Sequence, residues 1–156
     1  GDSKAAQIKA AFELGKRLIK EERRKKRKIT SLDEAIDYIF ETEGIYLRDK
    51  EKEYFYALFL TTKNSPLETV LISSGSSNAT VVDTKEIVRL ATIKNASAVI
   101  VFHNHPSGDT EPSKNDMEIT RKIKSALDLL NIRLLDHIIL GKNASDCFSF
   151  AKNKMI

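Results

Sequence analysis

The chain has 156 residues, 41% hydrophobic and 31% charged, with 6 Gly and 3 Pro, which excludes collagen-like and low-complexity chains and supports a core that stands without staples. The 26 Lys+Arg exceed the 22 Asp+Glu by 4, but residues 1–30 hold 11 basic against 4 acidic side chains, or +7, which leaves −3 for the other 126. A basic arm therefore precedes a mildly acidic body, and such an arm favours an anionic partner.

Residues 5–28 read as the first helix, with Ile8, Phe12 and Ile19 recurring near the 3.6-residue period and Ala11, Leu14 and Leu18 beside them. Lys9, Glu13, Lys16 and Arg17 interrupt this stretch, so it is no signal-peptide core. No apolar run in the chain approaches the roughly 20 residues of a membrane span. A soluble, cytoplasmic protein is the expectation. Residues 20–28 are all charged and cannot bury a face. A boundary is placed there, with an arm over residues 1–29 and a domain over residues 30–156.

Ser31, with Glu34 three residues on, has capping-box spacing. The helix it opens carries Leu32, Ala35, Ile36, Ile39 and Phe40, and Gly44 suits the position just past its end. Residues 54–60 are aromatic and apolar throughout and read as a buried strand. Turn residues at 63–66 join it to a second strand over 67–73, an antiparallel hairpin. A loop over 75–78 and a short strand over 80–82 follow. Asp83 caps a helix carrying Ile87, Val88, Leu90, Ala91 and Ile93. Residues 96–102 form an apolar strand that ends in His103-Asn104-His105. A Pro/Gly loop leads to a helix over 113–131, a strand over 132–140 and a last short strand over 147–150. Strands mixed with helices and one hairpin argue an α/β fold with a mixed sheet flanked by helices.

The chemistry lies in residues 103–116, HNHPSGDTEPSKND. Two histidines at i and i+2 on a strand project from one face and can reach one ion. Asp116, in the first turn of the following helix, can bring a carboxylate to the same point. Two imidazoles and a carboxylate suit Zn²⁺ with a fourth position open. The single Cys147 excludes a disulfide or a cysteine-rich metal site. The same residues also read as a helix N-cap, Ser113 with Asp116 against the helix dipole. From spacing alone both readings stand.

The string His-X-His, seven residues, Ser113, two residues, Asp116 is similar to the JAMM motif of the MPN/JAB metallopeptidases. The wider text closely resembles the bacterial RadC-type (UPF0758) proteins, through HNHPSGDTEPSKND with LLDHIILG after it and TTKNSPLETVLISSGSSNATVV and KEIVRLATIKNASAVIVFHNHPSG before it. The resemblance covers about residues 45–150. It implies a mostly antiparallel, cytidine-deaminase-like sheet architecture, with zinc on His103, His105 and Asp116. It also implies an oxyanion-stabilising hydroxyl at Ser113 and a general base at Glu53, with Glu51 and Glu68 as competitors. The implied reaction is hydrolysis of an amide or isopeptide bond in a peptide or protein. The alternative is a DNA-repair-associated, nucleic-acid-binding accessory protein whose metal site is not catalytic. The arm resembles the last helix of the helix-hairpin-helix region that precedes the RadC catalytic domain, which implies DNA contact. His137 matches the family text as a structural or supporting residue. Asp109 reads as turn chemistry near the site, and Cys147 as a buried small residue.

Overall fold

The computed structural model describes residues 1–47, 50–75 and 82–156. Helix α1 spans Asp2–Lys26, α2 Leu32–Ile39, α3 Ile45–Leu47, α4 Thr84–Ile93 and α5 Lys114–Asp128. The strands are β1 (Glu53–Leu60), β2 (Pro66–Gly75), β3 (Ala98–Asn104), β4 (Arg133–Leu140) and β5 (Cys147–Ser149). They form one sheet in the order β2-β1-β3-β4-β5. β1 runs antiparallel to β2 and β3, β3 parallel to β4, and β4 antiparallel to β5. The expected α/β class, with a mixed and mostly antiparallel sheet, is what the chain adopts.

Every residue of β3 is buried, because this central strand is covered on both faces. Its odd and even positions serve two cores. Ala98, Ile100 and Phe102 pack with Leu58, Leu60, Ile138 and the α2 residues Ala35, Ile36 and Ile39. Val99 and Val101 pack with Phe55, Ala57, Phe59 and the inner faces of α4 (Ile87, Ala91) and α5 (Ile123, Leu127). The result is three layers, helix on sheet on two helices. Continuing the alternation puts His103 on the α4/α5 side and Asn104 on the α2 side.

Several boundaries differ from expectation. Gly44 does not end a helix. From Phe40 to Gly44 the chain makes a π-helical turn and runs on into α3. A Cβ on Gly44 would sit 2.8 Å from Cδ1 of Phe40, so the glycine serves a close approach inside the helix. Ser31 caps α2 by accepting from the Glu34 backbone N–H at 3.2 Å. Glu34 returns one residue further out than a capping box, accepting from the Thr30 N–H and hydroxyl, both at 2.7 Å. β3 extends through Asn104, so His103 lies within the strand. β2 runs on to Gly75. Of the strand expected over residues 80–82, residues 80 and 81 lie outside the described residues, as does most of the loop before it, and Val82 is not in a strand.

Candidate metal centre

His103 is fully buried on β3, and His105 follows just past the strand end. Asp116 comes from the first turn of α5. Their ligand atoms all lie within 4.8 Å of one another. His103 Nε2 is 2.9 Å from His105 Nε2. Asp116 Oδ1 lies 3.2 Å from the first nitrogen and Oδ2 3.4 Å from the second. Three donor atoms on three local elements thus converge on one point.

The N-cap and ligand readings of residues 113–116 prove compatible. Ser113 caps α5, its Oγ accepting from the Asp116 N–H at 3.1 Å. Asp116 Oδ2 accepts from the Ser113 N–H at 2.8 Å and from the Ser113 hydroxyl at 2.6 Å. The capping box fixes the carboxylate's rotamer, which turns it toward the histidines. In this arrangement the Ser113 proton is engaged with Asp116. Burial alone would raise the Asp116 carboxyl; the facing imidazoles and the Ser113 hydroxyl outweigh it and hold the group far below the usual carboxylate range.

His105 is oriented from its other nitrogen, Nδ1, which lies 2.7 Å from the Asp109 carbonyl O. A carbonyl only accepts, so Nδ1 carries the proton and Nε2 keeps its lone pair whenever the ring is neutral. The Asp109 side chain accepts from the Glu111 N–H at 3.0 Å, so its carboxylate does turn chemistry while its carbonyl orients the His105 ring. Gly108, at φ 75°, makes the tight return that lets it do so. The side-chain bond to Asp116 raises the His105 pKa against the effect of burial.

Phe55 pairs in register with His103 and stacks on its ring at 5.6 Å and 14°. His137, from β4, stands beside it, fully buried, with Phe150 stacked on it at 4.7 Å and 12°. Burial first, then the neighbouring His103, keeps the His137 pKa well below the ordinary histidine value. His137 Nε2 lies 2.8 Å from His103 Nδ1, and its Nδ1 lies 2.6 Å from Thr120 Oγ1. All three histidines of the chain are therefore in one cluster.

Glu53 opens β1, where the chain emerges beside this cluster. It is partly buried, and burial raises its carboxyl, with the Asp116 charge adding and His103 and His105 opposing. The competitors are placed otherwise. Glu68 pairs with Phe59, four residues along β1 from the Phe55–His103 pair, and its carboxylate is ion-paired with Lys94. Glu51 is exposed and lines a groove shared with Lys50, His105, Gly108 and Lys142. Cys147 is half-buried, its Sγ donates to the Ala144 carbonyl at 3.2 Å, and burial pushes its thiol up.

Sequence reasoning missed two residues. Asn104, between the histidines, faces the other way: its Nδ2 donates to the Lys52 carbonyl at 3.0 Å and its Oδ1 accepts from the Tyr54 N–H at 2.9 Å. It thereby clasps the backbone on either side of Glu53. Thr120 sits one turn past Asp116 in a buried row with Ile123 and Leu127. A hydroxyl in an otherwise apolar row was the available signal.

A family model described as RadC-like JAB domain matches residues 29–155. The chain belongs to the RadC-like JAB domain family. Among curated relatives, UPF0758 proteins of Coprothermobacter proteolyticus, Pelodictyon phaeoclathratiforme and Trichlorobacter lovleyi are 44%, 40% and 43% identical over all 156 residues. The chain spans 66%, 67% and 65% of their respective lengths, about two thirds in each case. The residues of the cluster fall inside the RadC-like match.

Proposed function

We propose that this JAB domain is a zinc-dependent hydrolase of amide or isopeptide bonds. The observation that carries the reading is the convergence of two imidazole Nε2 atoms and one carboxylate on a single point, with Glu53 coupled to it. Two nitrogens 2.9 Å apart beside a carboxylate repel unless a proton or a cation lies among them. Two histidines and an aspartate are a donor set suited to Zn²⁺. Held by His103, His105 and Asp116, zinc would supply Lewis acidity, polarising a scissile carbonyl and acidifying water.

The remaining work falls to the chain itself. Glu53 removes a proton from the attacking water and returns it to the leaving amine nitrogen. Burial makes its carboxylate a stronger base than a free glutamate. The Ser113 hydroxyl orients Asp116 in the resting state, and once released from that bond it would donate to a developing oxyanion. The products are a carboxylic acid and an amine.

The test has two stages. Zinc-loaded wild type and Glu53→Gln are incubated with a bacterial lysate, and new peptide N-termini and newly freed lysine ε-amines are compared by mass spectrometry. Cleavages present only with wild type support the reading. No difference between the two proteins, with zinc bound to both, would overturn it.

A second reading, a nucleic-acid-binding accessory role through the arm, is favoured by one observation. Residues 3–19 of α1 are exposed apart from Gly15, so Lys4, Lys9 and Arg17 face solvent, where phosphate can reach them.

A further inference from the structure

The hydrogen bonds behind His103 have a direction, and one carbonyl sets it. The Asp116 backbone oxygen accepts from Thr120 Oγ1 at 2.5 Å. A hydroxyl has one proton, so at its other contact, 2.6 Å from His137 Nδ1, Thr120 must accept. His137 Nδ1 therefore carries a hydrogen. The ring is sealed from solvent between Phe55 and Phe150, where neutral imidazole is the lower-energy form, and a neutral ring holds only one such hydrogen. His137 Nε2 is thus a bare acceptor. Its contact, 2.8 Å away, is His103 Nδ1, which must donate. When the His103 ring is neutral, as metal binding requires, this leaves its Nε2 bare, the nitrogen that faces Asp116 and His105.

We propose that His137 and Thr120 are positioning residues that lock His103, before any metal arrives, in the tautomer whose Nε2 lone pair points into the cluster. The inference rests on the reading of His103, His105 and Asp116 as metal ligands. The relay runs from the Asp116 backbone through α5, β4 and β3 and ends opposite the Asp116 side chain. It therefore ties the helix that supplies the carboxylate to the strand that supplies the imidazole. Metal-binding histidines ordinarily give their second N–H to a carboxylate, a carbonyl or water. His105 does so directly, on the Asp109 carbonyl. His103 is too deep for that, and a second imidazole carries the contact to a helix carbonyl instead. Thr120 occupies a row with Ile123 and Leu127, where packing alone calls for an apolar side chain.

The chain has only three histidines, so ring-nitrogen correlation spectra of ¹⁵N-labelled protein can be assigned from single substitutions. Metal-free wild type at about pH 8, above the usual histidine range, should show protonated Nδ1 and unprotonated Nε2 on both His103 and His137. Protonated Nε2 on either ring would overturn the relay. Thr120→Val removes the hydroxyl at constant shape. It should mix the His103 tautomers and weaken zinc, measured by chelator competition, on the order of 10- to 100-fold. Thr120→Ser should restore both. Wild-type tautomers and affinity in Thr120→Val would refute the proposal. If Thr120→Val does not fold, the wild-type spectrum and the Thr120→Ser affinity decide. If wild type binds no zinc, the metal reading falls, while the ring-nitrogen spectrum still judges the relay.

Discussion

Asp136 shows at the scale of one residue how burial becomes a pH dependence. It is fully buried on β4, its Oδ2 accepting from Ser149 Oγ at 2.5 Å and its Oδ1 from the Ala151 N–H at 2.9 Å. Burial nonetheless raises its carboxyl above the ordinary value. The folded state then binds the proton more tightly than the unfolded state does. This group's contribution is complete below the unfolded value, about pH 4, and is lost as pH rises through the folded value. Asp136→Asn cannot ionise. Measured by denaturant unfolding from about pH 4 to neutrality, the variant should gain on wild type as pH rises. A constant difference would show that the carboxylate carries no pH-linked cost. At Glu53 the prediction concerns chemistry. Glu53→Gln should keep zinc and fold but lose on the order of 100-fold or more in hydrolysis, as expected for a general base. Full activity would move that role to Glu51, the acid lining the groove beside His105.

At the scale of elements, two helix caps that look alike in sequence separate in consequence. Asp83 caps α4 by accepting from the Lys85 N–H at 2.9 Å. Ser113 caps α5 and also donates to the Asp116 carboxylate that faces the histidines. Replacing either by Ala should cost about 1 kcal/mol of stability. Only Ser113→Ala should also weaken zinc binding, because only there does the cap hold a ligand's rotamer. Equal zinc affinity in the two variants would show that Asp116 needs no such support. The same elements show what was legible in the sequence. β3 was readable as a buried strand from its unbroken apolar run, and its parity put His103 and His105 on one face. The Ser113–Asp116 spacing carried both the cap and the carboxylate that faces the histidines. The π-helical turn was not readable, because Gly44 looks like a terminator until the Phe40 ring is seen against it. Nor was the Thr120–His137–His103 chain, whose three members are joined only once β3, β4 and α5 are packed. Glu53 and Glu51 share strand parity, so parity alone does not separate them; packing gives them different surroundings, Glu53 partly buried at the start of β1 and Glu51 exposed.

At the scale of the molecule, the site and the arm occupy separate parts of the chain. The sheet, α4, α5 and every residue of the cluster lie beyond residue 50. Among the described residues no helix is long and apolar enough to cross a membrane. On α1, Ile8, Phe12 and Ile19 are 58%, 70% and 55% exposed, so the apolar stripe read from the sequence buries little against the body. The join is a sharp one. Ile29 is 4% exposed within the α2-side core, and its N–H donates to the Asn64 carbonyl at 2.9 Å. Arg27, two residues earlier, makes a surface ion pair with Glu41 and lies 5.8 Å over the Tyr38 ring. Contacts of that kind contribute about 1 kcal/mol or less. Removing residues 1–28 while keeping Ile29 should therefore leave the domain folded. Its melting temperature should fall by no more than about 5 °C, with zinc affinity unchanged. The same truncation should abolish retention of duplex DNA, which in the full chain should weaken steeply with added salt because Lys and Arg contacts to phosphate release counterions. Calorimetry, chelator competition and a salt series on both proteins make the comparison. A much larger fall in melting temperature, or a change of oligomeric state on size exclusion, would mean that the stripe of Ile8, Phe12 and Ile19 buries against another surface in solution and that the boundary near residue 28 cuts through a packed element.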